Sequence, residues 1–181
     1  HKLLRDHVCR GPWRNARRPI LINNWEATYF DFNGEKIINI AKQAAELGVE
    51  MLVLDDGWFG QRNSDKSSLG DWFVNKEKIR CGMKKLAEQI NDLGLKFGLW
   101  FEPEMVSPVS ELYKTHPDWC LHVPERPRSE RRNQLILDLT RPEVCDYIID
   151  SVCAVLNSCP ISYVKWDMNR NMTEMPRKGF A

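Results

Sequence analysis

The chain lacks any apolar run approaching the roughly 20 residues that a membrane span requires; its longest clusters, such as Met51 to Leu54, are of strand length. It has no charge bias either. With 26 basic against 25 acidic residues among 181, nothing draws it broadly to nucleic acid or to an anionic membrane. Six cysteines, at 9, 81, 120, 145, 153 and 159, include no Cys-x-x-Cys pair and no histidine at zinc-ligand spacing. That pattern favours ordinary thiols in a reduced, cytoplasmic setting, and Cys145, Cys153 and Cys159 are expected as small core residues on or just after one helix. No glycine-rich phosphate loop follows any apolar run, which argues against a dinucleotide fold. The four histidines, His1, His7, His116 and His122, all lie away from strand ends. The chain starts at His1 rather than methionine, as the cut end of a longer parent would, so a missing leader says nothing about where that parent resides.

What is present is a core and a repeated design. Hydrophobic residues make up 43% of the chain, enough for one domain or part of one. Four short β-like runs stand out: Ile20 to Asn24, Met51 to Asp55, Phe97 to Phe101, and Ser162 to Asp167. Between the first two, Glu35 to Leu47 carries Ile37, Ile40, Ala41, Ala44 and Ala45 at helical spacing, with Asn33 as N-cap and Gly48 just beyond. Between the second and third, Gly82 to Leu93 places Met83, Leu86, Ala87, Ile90 and Leu93 on one stripe, stopped by Gly94. Before the fourth run, Thr140-Arg141-Pro142-Glu143 reads as a capping box leading into Val144, Tyr147, Ile148, Val152, Val155 and Leu156. Strand and helix therefore alternate, which implies a parallel sheet, either open and doubly wound or closed as a barrel.

The strand ends favour the barrel. They read Asn23-Asn24-Trp25-Glu26, Asp55-Asp56-Gly57-Trp58, Trp100-Phe101-Glu102-Pro103-Glu104 and Lys165-Trp166-Asp167. Polar and aromatic groups gathered at the C-terminal ends of successive strands mark a (β/α)8 TIM barrel enzyme, here as its first half, parallel strands 1 to 4 with their intervening helices. The stretch from Pro103 to Leu139 is too long for an ordinary βα loop and reads as an insertion over that face. It contains a helix-like stretch, Val109 to Lys114, a polar arginine-rich loop from Val123 to Arg132, and a small extra strand within Gln134 to Asp138. One arginine of the loop is expected to point inward.

Lys165 and Asp167 are the most informative pair. Side chains alternate along a strand, so these two share a face while Trp166 points away. A cation on the same face keeps the Asp167 carboxylate ionised, as a carboxylate nucleophile requires. Asp55 and Asp56 are suited to accept hydrogen bonds from adjacent hydroxyls, Lys165 and Asn169 to donate them, and Trp25, Trp58 or Trp100 to cover the apolar face of a pyranose. A magnesium site built from Asp55, Asp56, Glu102, Glu104 and Asp167 is the competing chemistry, but Lys165 would contend with the metal for the same place.

The motif set resembles the family-36 glycoside hydrolases, the bacterial type of α-galactosidase. It comprises Ile-Asn-Asn-Trp-Glu-Ala around Trp25, Asp-Asp-Gly-Trp-Phe-Gly from Asp55, Gly-Leu-Trp-Phe-Glu-Pro-Glu-Met-Val from Gly98, Arg-Asn-Gln-Leu from Arg132, and Lys-Trp-Asp-Met-Asn-Arg from Lys165. The resemblance runs from about Arg18 to the end. It implies that Asp167 is the nucleophile of a retaining hydrolysis through a galactosyl-aspartate, that Asp55, Asp56, Arg132, Lys165 and Asn169 contact the sugar, and that Trp25 and Trp100 wall the pocket. It also implies terminal α-galactosides of the melibiose and raffinose type as substrates, no metal or organic cofactor, and a homotetramer as one form open to the parent. A noncatalytic sugar-binding protein is the alternative in which the pocket remains and turnover is lost. On this reading residues 1–17 are the remnant of a linker from an N-terminal β-sandwich, and 18–181 are the first half of the catalytic barrel. The acid/base aspartate, which retention requires roughly 5 Å from the nucleophile, is then expected beyond Ala181, leaving the segment inactive alone.

Overall fold

A computed structural model describes residues 1–173. The chain opens with a short helix α1 (Lys2–His7) and a 3-10 turn over Gly11–Arg14, neither of which buries a residue. Strand β1 (Leu21–Asn23) is followed by one helical turn, α2 (Trp25–Thr28), and by α3 (Gly34–Glu46). Asn33 caps α3 as expected, its side chain accepting the Lys36 N–H at 2.9 Å, and Ile37, Ala41 and Ala44 form the buried stripe. Strand β2 (Met51–Leu54) is buried along its whole length. A long irregular connection then leads to α4 (Met83–Asp92), which buries Met83, Leu86, Ala87 and Ile90, and to β3 (Lys96–Phe101).

The insertion follows. Strand β4 (Met105–Val106), helix α5 (Glu111–Thr115) and strand β5 (Leu135–Ile136) form a small flap in which β4 and β5 pair antiparallel. The extra strand expected within Gln134 to Asp138 is β5. Helix α6 (Pro142–Ser158) and strand β6 (Tyr163–Trp166) complete the described elements. The four main strands form one parallel sheet in the order β1-β2-β3-β6, each successive strand adding beside the one before it. Ile22 lies opposite Leu52, Leu54 opposite Leu99, and Trp100 opposite Lys165. The central strands read as continuous apolar runs because both of their faces are covered, whereas β1 and β6 each have one neighbour and stay partly exposed.

Three expectations need correction. Thr140 does not cap α6: the N-cap is Arg141, with no side-chain cap. The Thr140 hydroxyl donates to Asp138 at 2.7 Å instead, and Glu143, needed for the reciprocal bond, is taken by Arg141 at 2.7 Å. The cysteines on and just after α6 are not fully buried: Cys153 is exposed and Cys145 half-buried, while Cys159, just past the helix, is half-buried and packs against the core. Cys145 and Cys153 fall off the stripe formed by Val144, Ile148, Val152 and Val155. Trp58, finally, is no cover for a sugar. It is fully buried against Phe59 and Phe101, and its indole N–H donates to the Trp100 carbonyl at 2.9 Å. The connection after β2 folds its apolar residues inward, Phe59 and Trp72 packing on Trp100 and Trp72 on Phe101, as compact loops packed by their own side chains do.

Candidate active site

Parallel strands present all their C-terminal ends on one rim, and hydrogen bonds join the groups found there. The Lys165 ammonium donates to Asp55 Oδ2 at 2.8 Å and lies 3.9 Å from Asp167 Oδ2. The shared face of Lys165 and Asp167 thus holds, yet the lysine's closer partner is Asp55, two strands away. Asn23, at the end of β1, also donates to Asp55 Oδ2, and its own Oδ1 accepts the Trp25 N–H at 2.7 Å. Asp55 Oδ1 accepts the Asp56 N–H at 2.9 Å. One buried carboxylate therefore ties together β1, β2 and β6.

Asp167 is held from a different side. Its Oδ2 accepts the indole N–H of Trp100 at 2.9 Å, and its Oδ1 accepts the Met168 N–H at 3.0 Å. Partial burial by itself pushes this carboxyl up, but the hydrogen bonds from Trp100, Asn169 and Met168, with the Lys165 charge, outweigh it, so its pKa lies below the usual aspartate value. The side chain remains 30% exposed, so an ionised oxygen is still open to attack a ligand. Trp100 itself is buried, its ring stacked parallel to Phe59, and only its N–H end serves the rim.

Asp56 is clamped. The Arg62 guanidinium binds it through both oxygens, Nε to Oδ1 at 2.9 Å and Nη2 to Oδ2 at 2.8 Å, with both residues buried. Burial pushes the Asp56 carboxyl up and the Arg62 fork pulls it back; the net direction is upward. Trp25 sits half-buried at the rim, edge-on to Tyr29 and Phe30. Asn169 lies beside Asp167, and its backbone N–H donates to Glu102 Oε1. Arg132 stands apart. It is exposed, in a left-handed turn with Asn133, and among the described residues no hydrogen bond joins it to the rim. The inward arginine of that loop is Arg128, whose guanidinium lies 5.5 Å from the centre of the Tyr113 ring.

Glu102 and Glu104 resolve into separate roles. Glu102 is fully buried, accepting from Asn169 and from Gln134 Nε2 at 3.3 Å, and burial drives its pKa up. Glu104 accepts the Trp166 indole N–H at 3.0 Å on the other face of the strand. Sequence reasoning missed Asn23 and Arg62 as partners of the acid pair. Asn23 sits at a strand end and was open to notice, whereas Arg62 lies in an irregular loop whose path the sequence does not reveal.

An ionised strand-end carboxylate, a buried acid pair and a bridging lysine on one rim of a parallel sheet define a site of the (β/α)-barrel glycosidase class. Comparison with known proteins narrows this. The melibiase family model matches residues 1–181, and the chain belongs to that family. It is 67% identical over 175 residues to the α-galactosidase AgaA of Geobacillus stearothermophilus, covering 97% of this chain and 24% of the relative. An α-galactosidase of Lactobacillus acidophilus is 51% identical over the same share of the chain. The crystal structure of AgaA, a family-36 enzyme, superposes with a TM-score of 0.95 at 65% identity, covering 100% of this chain and 25% of AgaA. Variants of AgaA have been solved with raffinose and with stachyose. The chain spans about a quarter of the length of the relatives it matches. Among the described residues, no helix is long and apolar enough to cross a membrane.

Proposed function

We propose that this chain supplies the nucleophile and the galactose-binding face of an α-galactosidase that acts on terminal α-linked galactose with retention. The observation that carries the reading is the Asp167 carboxylate, kept ionised by the Trp100 N–H at 2.9 Å and flanked by Lys165, which also binds Asp55. Asp167 attacks the anomeric carbon while the bond to the aglycone oxygen breaks, giving a galactosyl-aspartate that water then hydrolyses. Lys165, Asp55, Asp56 and Asn169 hold the sugar hydroxyls, Trp25 flanks its apolar face, and Arg132 reaches the sugar only if its turn folds inward.

Each carboxyl near Asp167 is already engaged: Asp55 with Lys165, Asp56 with Arg62, Glu102 with Asn169 and Gln134. The family resemblance implies that the proton donor for the leaving oxygen lies on a later strand of the whole enzyme, and the engagement of these carboxyls is consistent with that. The relatives' complexes with raffinose and stachyose support galacto-oligosaccharides as substrates. Six free cysteines support a reducing, cytoplasmic setting, and a homotetramer is the assembly that the family resemblance favours. In the whole enzyme, Asp167→Ala should abolish hydrolysis of an aryl α-galactoside while galactose still binds. Turnover surviving that substitution would overturn the reading.

A further inference from the structure

Lys78 has no part in the chemistry described so far, and its surroundings are unusual for a lysine. Its Nζ donates to three backbone carbonyls, Phe30 at 3.0 Å, Gly57 at 3.0 Å and Arg62 at 2.9 Å. The ammonium also lies 4.7 Å from the centre of the Phe32 ring. The lysine's backbone is pinned: its N–H donates to Asn75 Oδ1 at 3.1 Å, and its carbonyl accepts the Gly34 N–H at 2.9 Å. A fixed backbone thus presents three converging donors to segments that are remote in sequence.

Those segments carry or contact two residues of the proposed sugar pocket, Trp25 and Asp56. The Phe30 ring is the one on which Trp25 rests, with centroids 5.1 Å apart. Gly57 directly follows Asp56, and Arg62 is the residue that grips Asp56 through both oxygens. Gly57, at φ 104°, has room for no side chain here: a Cβ would stand 3.0 Å from the Phe30 ring and 3.3 Å from Lys78 Nζ. Backbone oxygens facing one ammonium are drawn together in a way that no hydrophobic contact can match, since each bond is charge-assisted and directional.

We propose that Lys78 is a positioning residue that fixes the distance between the aromatic wall at Trp25 and the acid at Asp56, and thereby sets the affinity of the site for galactose. The inference rests on the α-galactosidase reading. Lys78 acts through the backbone carbonyls of the two loops, while Lys165 lies on β6 and Asp167 just past its end, and both are left in place. Its loss therefore weakens ground-state binding more than the chemical step.

The test uses the whole enzyme with galactose binding measured by calorimetry and hydrolysis of an aryl α-galactoside measured in parallel. Lys78→Met, which keeps the apolar stem, should raise the galactose Kd and the KM about tenfold or more, with kcat within about threefold of the unmutated value. In an Asp56→Asn background the same change should raise KM less than about threefold, because the contact it positions is already impaired. Lys78→Gln, which retains one donor and guards against a failure of Lys78→Met to fold, should give an intermediate Kd. An unaltered Kd in either variant, or a loss confined to kcat, overturns the proposal. An unmutated enzyme that binds galactose but does not hydrolyse the galactoside defeats the α-galactosidase reading and leaves the Kd comparison to decide on Lys78. One that does neither overturns both.

Discussion

Trp100 and Asp167, 67 positions apart in sequence, meet through a 2.9 Å hydrogen bond from the indole N–H to Oδ2. The bond follows from register: Trp100 lies opposite Lys165 across the β3–β6 ladder, so its ring reaches just past the end of β6. It is one of the contacts that hold Asp167 below its ordinary pKa. Trp100→Phe keeps most of the buried ring and removes the donor. The Asp167 pKa should then rise and, with the ionised form attacking as proposed above, the acid limb of the kcat/KM profile should move to higher pH. A fall of about tenfold or more in kcat/KM near neutral pH should accompany it. A pH–rate profile of the whole enzyme checks both.

Arg62→Leu would strand the buried Asp56 carboxylate. Breaking a buried pair by removing one partner typically costs about 3–5 kcal/mol. The Asp56 pKa is already raised by burial, and losing Arg62 raises it further, so the folded variant takes up a proton more readily than the unfolded chain does. Its stability deficit should be greatest at neutral pH and shrink as the pH falls through the folded Asp56 pKa. Urea midpoints at several pH values measure this directly, and a deficit constant with pH would contradict it.

Glu102 offers the opposite experiment. Burial raises its pKa, so its contribution to stability is fully present below the unfolded pKa and is lost as the pH rises through the folded one. Glu102→Gln removes the charge and keeps an oxygen for the Asn169 N–H. After an amide flip, Gln134 can accept from the new amide through its Oε1, a buried atom with no hydrogen-bond partner among the described residues. The variant should match or exceed the unmutated protein by about 1 kcal/mol at pH 7, with the advantage vanishing in acid. Unfolding at pH 7 and in acid would show it.

Much of the architecture is visible in the residues themselves. Met51 to Asp55 and Phe97 to Phe101 announce buried parallel strands because nothing polar interrupts them before the last residue of the first, and the observed β2 and β3 differ by only a residue at their ends. The Lys165–Asp167 pairing follows from alternation along one strand. What escapes reading depends on chain path. Trp58 looks like a rim aromatic because it follows Asp55-Asp56, yet the loop buries it against Phe59 and Phe101. Arg62 and Lys78 lie in that same irregular connection, where neither period 2 nor period 3.6 fixes a direction. Lys165 choosing Asp55 over Asp167 is likewise a matter of how far apart the strands stand, which sequence spacing does not encode.

Residues 1–173 present two sheet edges, β1 and β6, with backbone groups unpaired on one side and with Leu21, Tyr163 and Trp166 exposed there. Residues 1–181 expressed alone should therefore aggregate and turn over neither raffinose nor an activated aryl galactoside. Size-exclusion chromatography and a hydrolysis assay decide. A soluble, active segment would mean that the proton donor lies within it.

The order of strands in the sheet also sets an order in time. β1, β2 and β3 pair across shorter connections, whereas β6 joins β3 only after the longest detour, between Phe101 and Tyr163 through the flap and α6. Closing a longer loop costs more entropy, and a chain leaving the ribosome meets its early strands first. The acid pair at Asp55 and Asp56 is thus expected to be in place on a nascent sheet before β6, with Asp167 just past its end, joins it. The Asp167 carboxylate would then join a sheet whose neighbouring rings, Trp58, Phe59 and Trp72, are already packed together.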